Sequence, residues 1–125
     1  MLRARKKTIK VSLLVAVILL AMTFLLSTPA SAHRPKSVDL KYEPGTQTLS
    51  VTIIHSVKNP AKHYIEKISI SVNGEKVSEH EYKNQPDKKS FTVEYNVAAK
   101  DGDTIKVKAS CSYIGSKSTK LIPGK

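Results

Sequence analysis

Tryptophan is absent from the 125 residues, and the two methionines, Met1 and Met22, lie in the first 32. A single cysteine, Cys111, means that no internal disulfide can form. No Gly-x-Gly-x-x-Gly, phosphate-binding loop or Cys-x-x-Cys occurs, so nucleotide-dependent and dithiol chemistries have no foothold. No Gly-x-Ser-x-Gly is present, and the ten acidic residues are dispersed without a paired-carboxylate motif, which argues against a hydrolase. Acids are also outnumbered: 21 Lys and Arg give a net charge of +11. The lysines are scattered rather than clustered with aromatics, so they read as solvated faces and not as a nucleic-acid surface.

Charge and apolar residues are unevenly distributed. Residues 1–32 hold Arg3, Arg5, Lys6, Lys7 and Lys10 and no acid, followed by the 16-residue run VSLLVAVILLAMTFLL from Val11 to Leu26. Ser27-Thr28-Pro29 breaks the run, and Ala30-Ser31-Ala32 has the small-x-small pattern of a signal peptidase site. As a helix, 16 residues span roughly 24 Å, less than the ~30 Å hydrocarbon core. The reading is a signal-peptide helix cleaved after Ala32, an extracytoplasmic (secreted or periplasmic) product beginning at His33, and no permanent membrane span after cleavage. Residues 33–125 form one small domain with 16 positive and 10 negative charges.

Alternation with a period of two dominates that domain, and no helical period lasts three turns. Val38, Leu40 and Tyr42 alternate, then Leu49, Val51, Ile53 and His55. A third strand over 63–72 carries Ile68, Ile70 and Val72 on one face. Asn73-Gly74 is a two-residue hairpin turn, since both positions accept positive φ. Strands over 76–82 and through Phe91, Val93, Tyr95 and Val97 follow. Asp101-Gly102 turns the chain into Ile105, Val107, Ala109, Cys111 and Tyr113, and a last strand covers 117–122. About seven short strands in 93 residues predict an all-β fold, an immunoglobulin-like antiparallel β-sandwich, with a small closed barrel as the second choice.

In such a sandwich the start of the first strand, the end of the second, the start of the third and the end of the sixth share one end. That places His33, His55, His63 and Cys111 together: three imidazoles and a thiol, the donor types of transition-metal sites. Each also has a plainer reading. His55 can cap its apolar stripe and bond a carbonyl. His63 has the opposite parity to Ile68, Ile70 and Val72, and reaches the cluster only through a bulge or a redirecting loop. Cys111 can be an inert core thiol, and His33 part of a loose tail. His80 reads as a solvated strand residue.

The stretch HSVKNPAKHYIEKISISVNGEKV, with the later Cys111-Ser112-Tyr113-Ile114-Gly115, resembles the iron-binding domain of desulfoferrodoxins and superoxide reductases. The resemblance covers about 70 residues from His55 onward and implies an immunoglobulin-like sandwich. It implies that His55, His63 and Cys111 match three of the family's five iron ligands, four histidines and an axial cysteine. Ile114 stands where the family has its late histidine, and the early histidine segment has no counterpart except the neighbourhood of His33. The implied cofactor is iron. Copper is the alternative metal, since a free amine at His33 with its imidazole would chelate Cu(II). A second stretch, KKSFTVEYNVAAKDGDTIKVKAS, resembles the Z subunit of the sulfur-oxidation carrier complex, a non-enzymatic binding protein, and implies a metal-free module with a protein partner in the cell envelope. The two expectations are thus a metal-binding or redox-associated module with an incomplete ligand set, and a partner-binding sandwich.

Overall fold

The computed structural model describes residues 2–24 and 33–125. The cleavage pattern of Ala30-Ser31-Ala32 lies outside the described residues. Helix α1, Leu2–Phe24, covers the basic segment and most of the apolar run. Its side chains from Val11 to Met22 are exposed. No helix among the described residues is long and apolar enough to cross a membrane.

Residues 33–125 contain seven strands: β1 Ser37–Glu43, β2 Thr48–Ile54, β3 Ile65–Val72, β4 Glu75–Glu81, β5 Ser90–Asn96, β6 Ile105–Cys111 and β7 Ser116–Leu121. They form two antiparallel sheets, ordered β1-β2-β5 and β4-β3-β6-β7. This is the all-β sandwich that the alternating pattern predicts. Leu49, Val51 and Ile53 of β2 are fully buried and face Ile68 and Ile70 of β3 and Ile105, Val107 and Ala109 of β6 within one core. The intervening residues point outward, as the two-residue pleat requires. β4 has no buried residue and stands at the edge of its sheet. It carries Lys76, Glu75, Glu79 and Glu81, charges that discourage pairing with another chain.

Turn chemistry sets the register at the end of the sandwich remote from the histidines. Asn73 and Gly74 both have positive φ, 53° and 83°, as a type I′ hairpin demands. Asn73 also accepts from Thr104 N–H at 2.9 Å and donates to the Asp103 carboxylate at 3.0 Å, tying the β3–β4 turn to the segment before β6. Tyr42 Oη donates to Val97 O at 2.6 Å, which pins β1 to the chain leaving β5.

Three features depart from the sequence expectation. β3 begins at Ile65, not His63, and its pairing with β6 shifts register between Ile65 and Lys67. That bulge lets Ile65 be buried on the same side as Ile68 and Ile70, although its parity is opposite. β6 ends at Cys111, so Tyr113 lies beyond the strand and is 54% exposed. His80, expected to be solvated, is half-buried and stacks on Tyr95 with ring centroids 4.3 Å apart.

Candidate metal centre

The opposite end of the sandwich gathers the donors. β2 delivers His55 one residue past its last paired position, with the ring 2% exposed beneath the loops. His55 N–H donates to Lys89 O at 2.9 Å, so the backbone at this point is fixed by the segment entering β5. His63 arrives by a different device. Asn59 opens a compact turn: its side-chain oxygen accepts from Ala61 N–H at 3.0 Å, and its carbonyl accepts from Lys62 and His63 N–H. The turn together with the β3 bulge swings His63 inward, the redirection its parity required. Cys111 ends β6 and is 3% exposed. Its N–H donates to Gly115 O at 2.9 Å, closing the short loop into β7.

His33 is placed by an anchored segment, not by a loose tail. Pro35 is fully buried, and Lys36 N–H donates to Ile54 O at 2.7 Å. Arg34 lies directly on Gly115, where an added Cβ would sit 2.9 Å from the Arg34 Cβ and 3.2 Å from its backbone. Gly115 also has φ of +107°, a conformation that side chains other than glycine's adopt only with strain. One glycine therefore both turns the chain out of β6 and leaves room for the segment carrying His33.

The cluster is tight. The ligand atoms of His55, His63 and Cys111 all lie within 4.8 Å of one another. Ligands 2.0–2.3 Å from a common ion are about 3.5 Å apart at tetrahedral angles, so loading requires only side-chain swings of about 1 Å. His63 Nε2 is 3.0 Å from Cys111 Sγ. The His63 ring stacks on Tyr113 at 4.4 Å and meets His55 and His33 edge-on at 4.8 and 5.5 Å. Tyr113 N–H points at Cys111 Sγ from 3.5 Å. All four residues singled out from sequence thus meet at one end, and His80 lies elsewhere, on β4.

Gln85 is the residue that sequence reasoning missed. It sits in the loop between β4 and β5 and is 4% exposed. Its Nε2 donates to His55 O at 2.8 Å and to Asp87 O at 2.7 Å. Its Oε1 therefore faces inward, accepting from Ile65 N–H at 3.3 Å and from His55 Nδ1 at 2.8 Å. Nδ1 is thus held by a side-chain carbonyl oxygen, the kind of contact that orients a ligating histidine. Nε2 in turn lies 2.9 Å from the backbone oxygen of His33. Both ring nitrogens therefore face oxygen acceptors, so a metal taking Nε2 would replace its hydrogen bond to the His33 carbonyl.

Burial, then the neighbouring His55 and His33, holds His63 below the ordinary imidazole value. Burial pushes the Cys111 thiol up. Both directions favour an uncharged pair, with the thiol donating to His63 Nε2, over a thiolate–imidazolium pair. A nucleophilic cysteine needs the charged pair and access to substrate. The geometry suits a ligand cluster better than a hydrolytic dyad.

No family model and no curated protein matches the chain. Among solved structures it is similar to a superoxide reductase (neelaredoxin) from Ignicoccus hospitalis, at 12% identity and a TM-score of 0.48, over 76% of this chain and 84% of that one. It is also similar to a superoxide reductase from Nanoarchaeum equitans, at 17% identity and a TM-score of 0.42, over 72% of this chain and 91% of that one. The fold itself is read from the strand pairing, and the donor set from its own distances.

Proposed function

We propose that residues 33–125 are an extracytoplasmic metal-binding module that holds one transition-metal ion through His55 Nε2, His63 and the Cys111 thiolate. The observation that carries this reading is the convergence of three soft or borderline donors within 4.8 Å, one of them oriented at Nδ1 by a buried amide. Compartment follows from the leader: removal of residues 1–32 on export would begin the mature chain at His33, beside the cluster. Mass spectrometry of protein secreted by the expressing cell tests it, with a mature mass starting at His33 expected and an uncleaved mass opposing it.

The reading is of a metal module and not of a superoxide reductase. Ile114, where the resembling family has its late histidine, is 68% exposed and offers no ligand. With His33 included, the described residues supply three imidazoles to the cluster, one fewer than the family's iron takes.

Metal analysis of protein purified without a His tag decides the matter. One equivalent of iron, copper or zinc is expected after gentle handling. His55→Ala and His63→Ala should each lower occupancy at least tenfold, the loss typical of altered metal ligation, whereas His80→Ala should leave it unchanged. Substoichiometric metal of every kind, or equal binding by the His55 and His63 variants, would remove the proposal.

A further inference from the structure

Resting on that reading, we infer that the ion is copper, held in a three-plus-one centre with His55 Nε2, His63 Nε2 and Cys111 Sγ as strong donors and the backbone oxygen of His33 as a weak fourth. Four observations point there. First, the donors are two imidazoles and one thiolate, with no carboxylate in the cluster, which disfavours hard oxygen-seeking cations. Second, a structural zinc site is closed by four strong ligands, and this cluster has three. Third, the remaining position is faced by a main-chain oxygen. The His33 carbonyl lies 2.9 Å from His55 Nε2, at the edge of the cluster. Two imidazoles and a cysteine with a distant carbonyl oxygen form the donor set of mononuclear copper–thiolate centres. Fourth, the sulfur is shielded, 3% exposed, with Tyr113 N–H aimed at it, a contact that would tune a metal-bound thiolate.

The assignment makes His33 a ligand through its backbone and not through its ring, unlike the amine-and-imidazole chelate that the sequence alone allows. Its carbonyl is positioned by the seating of Arg34 on Gly115 and by the burial of Pro35. On loading, the Sγ–H bond breaks, the proton leaves to solvent and the Sγ–Cu bond forms. His63 Nε2 gives up its hydrogen bond from the thiol and takes the metal with the same lone pair.

The test is anaerobic addition of copper(II) chloride to metal-free protein expressed from the full coding sequence, read by absorption and electron paramagnetic resonance. Copper outranks zinc at almost any nitrogen and sulfur site, so affinity alone decides nothing and the spectrum must be read. One equivalent should produce an intense visible thiolate-to-copper charge-transfer band with narrow copper hyperfine splitting. Cys111→Ser should abolish the band while copper remains bound. His33→Ala, which keeps the main-chain oxygen, should retain it. Gly115→Ala, which pushes Arg34 away, should shift band and splitting with copper still at one equivalent. Circular dichroism of that variant establishes that it is folded, and Gly115→Ser provides a second displacement. Zinc or iron binding accompanied by colourless copper overturns the copper assignment and leaves the metal module standing. Failure of all three ions to bind overturns both.

Discussion

The two ends of this sandwich are built from similar loops and use their polar groups differently. At the Asn73 end, the Asn73 amide, the Asp103 carboxylate, the Thr104 N–H and the Tyr42 hydroxyl spend their hydrogen-bonding capacity on one another and on backbone. The end is saturated and exposes no unused lone pair of a soft donor. At the His55 end the hydrogen bonds fix the orientation of imidazole and thiol groups that lie within reach of one another. Gln85 holds Nδ1 of His55 and leaves Nε2 against a carbonyl, while His63 Nε2 and Cys111 Sγ hold each other through a single weak proton. One end completes a fold, and the other gathers three groups that could hold a metal ion. A loop network that fixes backbone geometry around converging imidazole and thiol groups is the kind of support a binding site needs.

The contrast can be broken most severely at Gln85. Gln85→Leu strips partners from His55 Nδ1, His55 O and Ile65 N in a buried setting, and should cost about 3 kcal/mol in urea unfolding and also abolish metal retention. A Gln85→Leu protein that unfolds normally and keeps its metal would make the two ends equivalent. Next in size is the ion itself. At a free concentration a hundredfold above Kd, metal should raise unfolding free energy by about 2.7 kcal/mol. His63→Ala should lose that increment, as calorimetry with and without chelator would reveal. Asn73→Ala, at the other end, should cost only about 1 kcal/mol, because it puts a residue less tolerant of positive φ at 53°. Its metal content should match that of the unaltered chain, and a loss there would show that the ends are coupled.

The smallest expected effect is a pH dependence of the metal-free protein. His63 is held below its ordinary value of 6.5, so the unfolded chain binds more protons on the acid side. Stability should therefore be full above about pH 6.5 and decline as pH falls toward the folded value. Cys111 is displaced upward from 9.0, so stability should decline as pH rises beyond 9. His63→Ala should flatten the acid flank and Cys111→Ser the alkaline one, measured by urea midpoints across pH. Flanks that persist in both variants would assign them to other groups.

How much of this was legible beforehand follows from how local each signal is. Leu49, Val51 and Ile53 announce a half-buried strand because the pleat has a period of two, and Asn73-Gly74 announces its turn because few residue pairs accept two positive φ values. The meeting of His33, His55, His63 and Cys111 was legible from topology, since strand direction alone sends those positions to one end. Parity failed where one inserted residue reset it, at the Ile65–Lys67 bulge, and where it was carried past the true end of β6 to Tyr113. Gln85 was invisible because Asn84-Gln85-Pro86 reads as any polar loop, and only three dimensions distinguish a buried amide from a solvated one. Gly115 read as a turn, and its contact with Arg34, far away in the chain, leaves no mark in sequence.

That contact also fixes an order of assembly. Arg34 rests on Gly115, and the Lys117 ammonium grips the Lys36 carbonyl across 81 residues. The segment before β1 is held by Ile54 and His55, but it gains its contacts with Gly115 and Lys117 only when nearly the last strand is in place. A chain whose last strands have not yet formed would show imidazoles without sulfur and without the roof above them. An ion arriving early would find no complete cage, and one arriving late would find the door already framed.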